Sequence, residues 1–147
     1  MITYFETSDP VIFTGDVGGV RINQDSPVMP PCPPPDIQIE HWLASIHILQ
    51  ERPAKQLFLT HYGQINDKKE HLDQLSVRLL DWANWILPHF QAQTPMEEIV
   101  PQFELYVAQQ LKDANVAAED IERYSKANPA FMSVAGLLRY WKKQTQV

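Results

Sequence analysis

Phe13-Thr14-Gly15-Asp16-Val17-Gly18-Gly19 is the stretch on which the reading of this chain turns. A β-rich apolar run ends in Gly-Asp with two further glycines close behind, which projects a carboxylate from a strand end while the backbone turns sharply around it. An ordinary turn aspartate fits the same spacing. Working outward, residues 2–6 and 11–14 are β-rich runs separated by Ser8-Asp9-Pro10, a turn signal, and predict a hairpin. Residues 17–22 begin a third short strand or a loop. Six of the twelve prolines then fall between Pro27 and Pro35. Residues 23–36 therefore form neither a helix interior nor a central strand, and predict an extended surface loop of polyproline character.

From Ile37 the hydrophobic period becomes helical. Ile39, Trp42, Leu43, Ile46 and Leu49 share a stripe that Pro53 stops. Gln56-Leu57-Phe58-Leu59-Thr60 is a short apolar run between that stop and a glycine, the length of a buried strand. Asp67, with Glu70 three residues on, reads as a helix cap, and Leu72, Leu75, Leu79, Trp82 and Ile86 mark the buried stripe that follows. Pro88 ends or kinks that helix. Thr94-Pro95-Met96-Glu97 opens another as cap, first-turn proline and capping-box glutamate, and Asn115 and Asn128-Pro129 start two more. The order is β-β-(β)-loop-α-β-α followed by three helices. Three or four strands alone need covering helices or strands from elsewhere.

Composition narrows the function. The chain has 147 residues, about one domain's worth. Twelve basic against eighteen acidic residues give a net charge of −6, without the dense Lys/Arg face that phosphate contact needs, so no nucleic-acid partner is expected. No apolar run reaches the roughly 18 residues of a membrane span. The start Met1-Ile2-Thr3-Tyr4-Phe5-Glu6 has no basic leader, so a cytoplasmic location and no membrane partner are expected. The single cysteine, Cys32, excludes an internal disulfide framework and reads as an inert thiol.

A second candidate for chemistry is Leu57-Phe58-Leu59-Thr60-His61-Tyr62-Gly63, where a histidine follows a buried strand. A hydrogen-bonded loop histidine fits that position equally well. His41 and His47 lie six residues apart on one helix and face apart. His71 and His89, at the start and end of the long helix, read as solvated or capping. No hydrolase elbow, phosphate loop or dinucleotide fingerprint occurs. Trp42, Trp82, Trp85 and Trp141 all fall on helical patterns and read as packing residues. Phe103, Val107, Leu111, Phe131, Leu137 and Trp141 in the terminal helices need a partner surface, most simply within the chain itself.

Taken together, Thr14-Gly15-Asp16, the following Gly-Gly, the proline segment and a later strand ending in Thr60-His61-Tyr62-Gly63 resemble the C-terminal half of a metallo-β-lactamase-fold, glyoxalase-II-like metallohydrolase. The resemblance covers roughly residues 1–93, with residues 94–147 as a helical extension. It implies an α+β fold, half of an αββα sandwich with few strands under covering helices. It also implies a metal site for two ions, zinc with iron as the alternative, in which Asp16 matches the aspartate that bridges both metals and His61 the last histidine ligand. The reaction implied is hydrolysis of an ester, thioester, lactam or phosphodiester of a small molecule, or iron-dependent redox chemistry in some members. The family's histidine-rich motif has no counterpart in the fifteen residues before Asp16. The resemblance therefore implies a fragment, natural or artificial, with an incomplete centre and no activity alone.

Two alternatives stand beside it. The chain is a non-catalytic assembly module, its uncovered sheet pairing with a second copy in a homo-oligomer or with a missing N-terminal half. Or an oligomer brings two Asp16 and two His61 together and captures a metal between chains.

Overall fold

Strand β2 (Val11–Gly15) and strand β3 (Gln56–Leu59) are the centre of the molecule, and both alternate strictly. Ile12, Thr14, Leu57 and Leu59 are buried, whereas their neighbours Phe13 and Phe58 point the other way, 45% and 40% exposed. This period of two is what a half-covered sheet imposes on a strand. The computed structural model describes residues 4–6, 11–35 and 37–145. In it β1 (Tyr4–Glu6) pairs antiparallel with β2, β2 pairs parallel with β3, and β3 pairs antiparallel with β4 (Gly63–Ile65), giving one four-stranded sheet in the order β1-β2-β3-β4. The turn expected at Ser8-Asp9-Pro10 and the first residues of the predicted hairpin lie outside the described residues. The fold is α+β.

The parallel step requires a crossover, supplied by α1 (Ile39–Glu51). Its apolar side, with that of the first half of α2 (Lys68–Gln91), covers one face of the sheet. Ile12, Ile46, Leu49, Leu57, Leu59, Ile65, Leu72 and Leu75 form that core. Lys68 at the start of α2 places its Nζ on the carbonyls of Gln50 and Arg52, at 2.9 and 2.7 Å, putting a cation on the carboxyl end of α1.

All five residues of the predicted α2 stripe are buried, and the helix serves two cores. Beyond Leu75 it passes to a second cluster, where Leu79, Trp82 and Ile86 meet Ile99, Phe103 and Leu111 of α3 (Met96–Asp113), Tyr124 of α4 (Ala118–Ala127), and Val134 and Leu137 of α5 (Ala130–Gln144). Trp82 meets Phe103 edge-on at 4.9 Å. Helices α3, α4 and α5 thus share a core with Val20, Met29 and the second half of α2. Phe131 stays half exposed at the rim of a cleft between α3, α4 and α5.

Two open local expectations are decided and two are corrected. Of the strand or loop left open for residues 17–22, the structure shows the loop: a 3-10 turn (Asp16–Gly18) followed by a single bridge, Val20 to Met29. Of the two outcomes left open at Pro88, an end is excluded, since α2 continues to Gln91. Thr94 is not the cap of α3; Pro95 holds that position with no side-chain cap bond. The proline segment is not a surface loop: Val28, Met29, Pro30 and Cys32 are buried. The physical reason lies in the prolines themselves. A buried backbone must pair every N–H and C=O, and prolines have no N–H to pair. Three of the carbonyls find donors in the C-terminal helical region: Asn128 Nδ2, between α4 and α5, donates to Pro30 O at 3.0 Å and Arg139 Nε to Pro35 O at 2.6 Å, while Tyr124 donates its hydroxyl to Pro27 O. Cys32 is fully enclosed, and burial pushes its thiol pKa far up, as an inert thiol requires.

Candidate functional site

Because β2 and β3 are parallel, their carboxyl ends open at one edge of the sheet, where α/β architectures place ligands. Asp16 follows β2 directly. Gly15 before it stands at φ 57°, ψ −159°, a conformation open in practice only to glycine, so the sharp exit from the strand depends on that residue. His61 is the middle residue of the loop between the paired residues Leu59 and Gly63, and Tyr62 after it is left-handed at φ 67°. These two turns bring together the two residues singled out from the sequence.

His61 Nε2 lies 3.7 Å from Asp16 Oδ1, with the side chains 41% and 52% exposed. That is too long for a hydrogen bond. Two ligands of one tetrahedral zinc ion, each at about 2.0–2.1 Å, stand about 3.3–3.4 Å apart, close to the observed separation. A carboxylate oxygen with an imidazole nitrogen suits zinc or iron. A zinc centre takes about three protein ligands at least, and among the described residues no group of three or more His, Cys, Asp or Glu side chains gathers. The pair therefore fits part of a coordination shell.

Behind Asp16 lies a buried polar network that the sequence reading missed. His71, expected to be solvated or capping, is 0% exposed. Its Nδ1 sits 3.3 Å from Arg21 NH1 and its Nε2 2.7 Å from Gly18 O. Arginine only donates, so Nδ1 accepts and the ring proton is assigned to Nε2, which donates to Gly18 O. Arg21 is itself buried: NH1 donates to both oxygens of Asp67 at 2.9 and 3.0 Å, Nε to Ser26 O at 2.7 Å, and NH2 to Gln24 O. Asp67 holds the cap position of α2, as expected, with its carbonyl accepting from His71 N at 3.0 Å, but its carboxylate makes no cap bond and pairs with Arg21 instead. The spacing 71-75-79 had already placed His71 on the buried stripe of α2, and a histidine there has to find partners inside.

Burial, with the neighbouring Arg21 charge adding to it, pushes the His71 imidazole down from 6.5 to about 4, against the opposing pull of Gly18 O and Asp67. The unfolded chain takes up this proton near pH 6.5 and the folded chain only near pH 4. Stability is therefore undiminished above pH 6.5 and falls as the pH drops through that window, by about 3 kcal/mol at the lower end. Urea unfolding at pH 7, 5.5 and 4 measures it. His71→Gln, which has no proton to take up, is expected to flatten the slope, and identical slopes in the two proteins would refute the assignment.

No family model matches this chain, and no curated protein matches it. No described helix is long and apolar enough to cross a membrane.

Proposed function

We propose that this chain is the C-terminal portion of a metal-dependent hydrolase of the metallo-β-lactamase type, half of an αββα sandwich, with Asp16 and His61 as its contribution to the metal site. The observation that supports this most is the 3.7 Å approach of His61 Nε2 to Asp16 Oδ1 at the carboxyl ends of two parallel strands. In this reading Asp16 supplies a negatively charged oxygen donor and His61 a neutral imidazole nitrogen. The remaining donors come from outside this pair, so the chain alone is inactive. When bound, a zinc pair supplies Lewis acidity and a hydroxide near neutral pH for attack on an ester, thioester, lactam or phosphodiester; iron would bring redox chemistry to the same donors. The half exposure of both side chains leaves them accessible to an ion and to a small-molecule substrate.

Zinc titration of the purified chain by calorimetry tests the ligand assignment. Weak binding is expected, lowered at least tenfold by Asp16→Asn and by His61→Ala. Equal affinity in all three proteins, or no binding by the native chain, would overturn it.

A second reading, assembly by self-association, is favoured by the open face of the sheet. Phe13 and Phe58 stand side by side there with ring centroids 5.4 Å apart, and an uncovered aromatic pair on a sheet face is a site for burial against another surface. Sedimentation of the native chain is expected to show a dimer that Phe58→Glu dissociates. A strictly monomeric native chain removes this reading and leaves the first intact.

A further inference from the structure

The turn that carries Asp16 is held by its carbonyls, one after another, from three different parts of the molecule. Asp16 O accepts from Gly19 N at 3.0 Å, within the turn. Val17 O accepts from the indole Nε1 of Trp42, on α1, at 2.9 Å. Gly18 O accepts from His71 Nε2, on α2, at 2.7 Å. The two helices that cover the sheet each reach past it with one ring N–H to the same three-residue turn. His71 is in turn oriented by Arg21, and Arg21 by Asp67, so the chain of contacts runs from the start of α2 to Gly18, two residues after the candidate ligand.

A free-standing turn after a strand would sample several backbone states, and the Asp16 carboxylate would move with each. A side chain at least half exposed gets little orientation from its own surroundings, so its direction is set by the backbone beneath it. Rigid rings on two packed helices are suited to fix that backbone, because their own rotamers are locked by burial. We propose that Trp42 and His71 are positioning residues for Asp16, holding the 16–18 turn so that its carboxylate stays within a metal's reach of His61. This rests on the reading of Asp16 and His61 as a ligand pair. Neither ring touches the ion; both act through the backbone of the turn.

The experiment uses three variants of the full chain and two readouts. Trp42→Phe keeps an aromatic ring and removes the N–H. His71→Leu removes both ring nitrogens. His71→Gln keeps a donor for Gly18 O and an acceptor for Arg21. The first readout needs no metal: the nuclear Overhauser contact between the His61 Hε1 proton and the Asp16 β-protons. The second is zinc affinity by calorimetry. Trp42→Phe and His71→Leu are expected to weaken the contact and lower zinc affinity about tenfold, the scale on which residues behind a metal ligand act. His71→Gln is expected to restore both. Trp42→Phe, the mildest change, keeps the proposal open to test where His71→Leu fails to fold. If Trp42→Phe leaves the contact and the affinity as in the native chain, the proposal is overturned. If the native chain binds no zinc, the ligand reading fails separately, and the contact measured without metal decides positioning alone.

Discussion

Arg21→Met is expected to destabilise the protein by about 3–5 kcal/mol, the scale on which removing one partner of a buried charged network acts. Methionine reproduces much of the arginine stem, so lost packing contributes little. What is lost is a donor set: Asp67 loses its charged partner, Ser26 O and Gln24 O lose their donors, and His71 Nδ1 is left with no hydrogen to accept. The penalty comes from stranding those groups, since a buried acceptor without a donor has given up water for nothing. Asp67→Asn should cost less, because the Asp67 side chain is about a third exposed and water replaces part of what it loses. Urea unfolding with a common m-value measures both. A loss under about 1 kcal/mol for Arg21→Met would mean that the network is solvated in solution and that its residues do not order the turn beneath Asp16.

Gly136→Ala is the second large effect, and its sign is the informative part. In the middle of a helix this substitution ordinarily stabilises by about 1 kcal/mol. Here a Cβ on Gly136 would stand 2.0 Å from the carbonyl oxygen of Cys32, 3.0 Å from its carbonyl carbon and 3.2 Å from the carbonyl carbon of Pro33. All three are backbone atoms of the buried proline segment, which cannot swing aside as the end of a flexible side chain would. Helix α5 has to separate from that segment, and the bonds that Ser133 and Arg139 make to it stretch in consequence. A loss of about 3 kcal/mol is expected, near the upper end of overpacking costs. That lowers the melting temperature by about 6–12 °C for a chain of this size. A rise in melting temperature would show that α5 does not lie on the proline segment at all.

Much of this architecture is legible from one dimension. The α2 stripe from Leu72 to Ile86 is buried throughout because a helix with apolar residues at that spacing has only one side to hide. Leu57 and Leu59 turn inward for the corresponding reason in a strand, although Phe58 between them faces out, so β3 is half-buried where the apolar run predicts full burial. The short strand β4 carried too weak a pattern to announce itself: Gly63-Gln64-Ile65 is paired because it folds back on β3. The cap signal at Asp67 placed the start of α2 correctly, although its carboxylate turns to a stronger distant partner, Arg21; the one at Thr94 misled because the neighbouring Pro95 holds the cap position.

The candidate site divides along the same line. Sequence by itself determined that Asp16 and His61 stand at strand ends, since apolar runs that stop at Gly-Asp and Thr-His-Tyr-Gly are local patterns. It also determined the α+β class and the helical character of the segment that holds α3, α4 and α5. Only the tertiary structure decided that β2 and β3 are parallel neighbours, which sets Asp16 and His61 3.7 Å apart. It alone decided that Arg21 and His71, fifty positions apart in the chain, share one buried network, and that a run of prolines lies inside the protein. The physical reason is common to these cases. Periodicity reports which side of an element is apolar. Which polar groups meet once those sides are buried depends on how the elements stack, and a buried charge or carbonyl is satisfied by whatever donor the stacking brings to it.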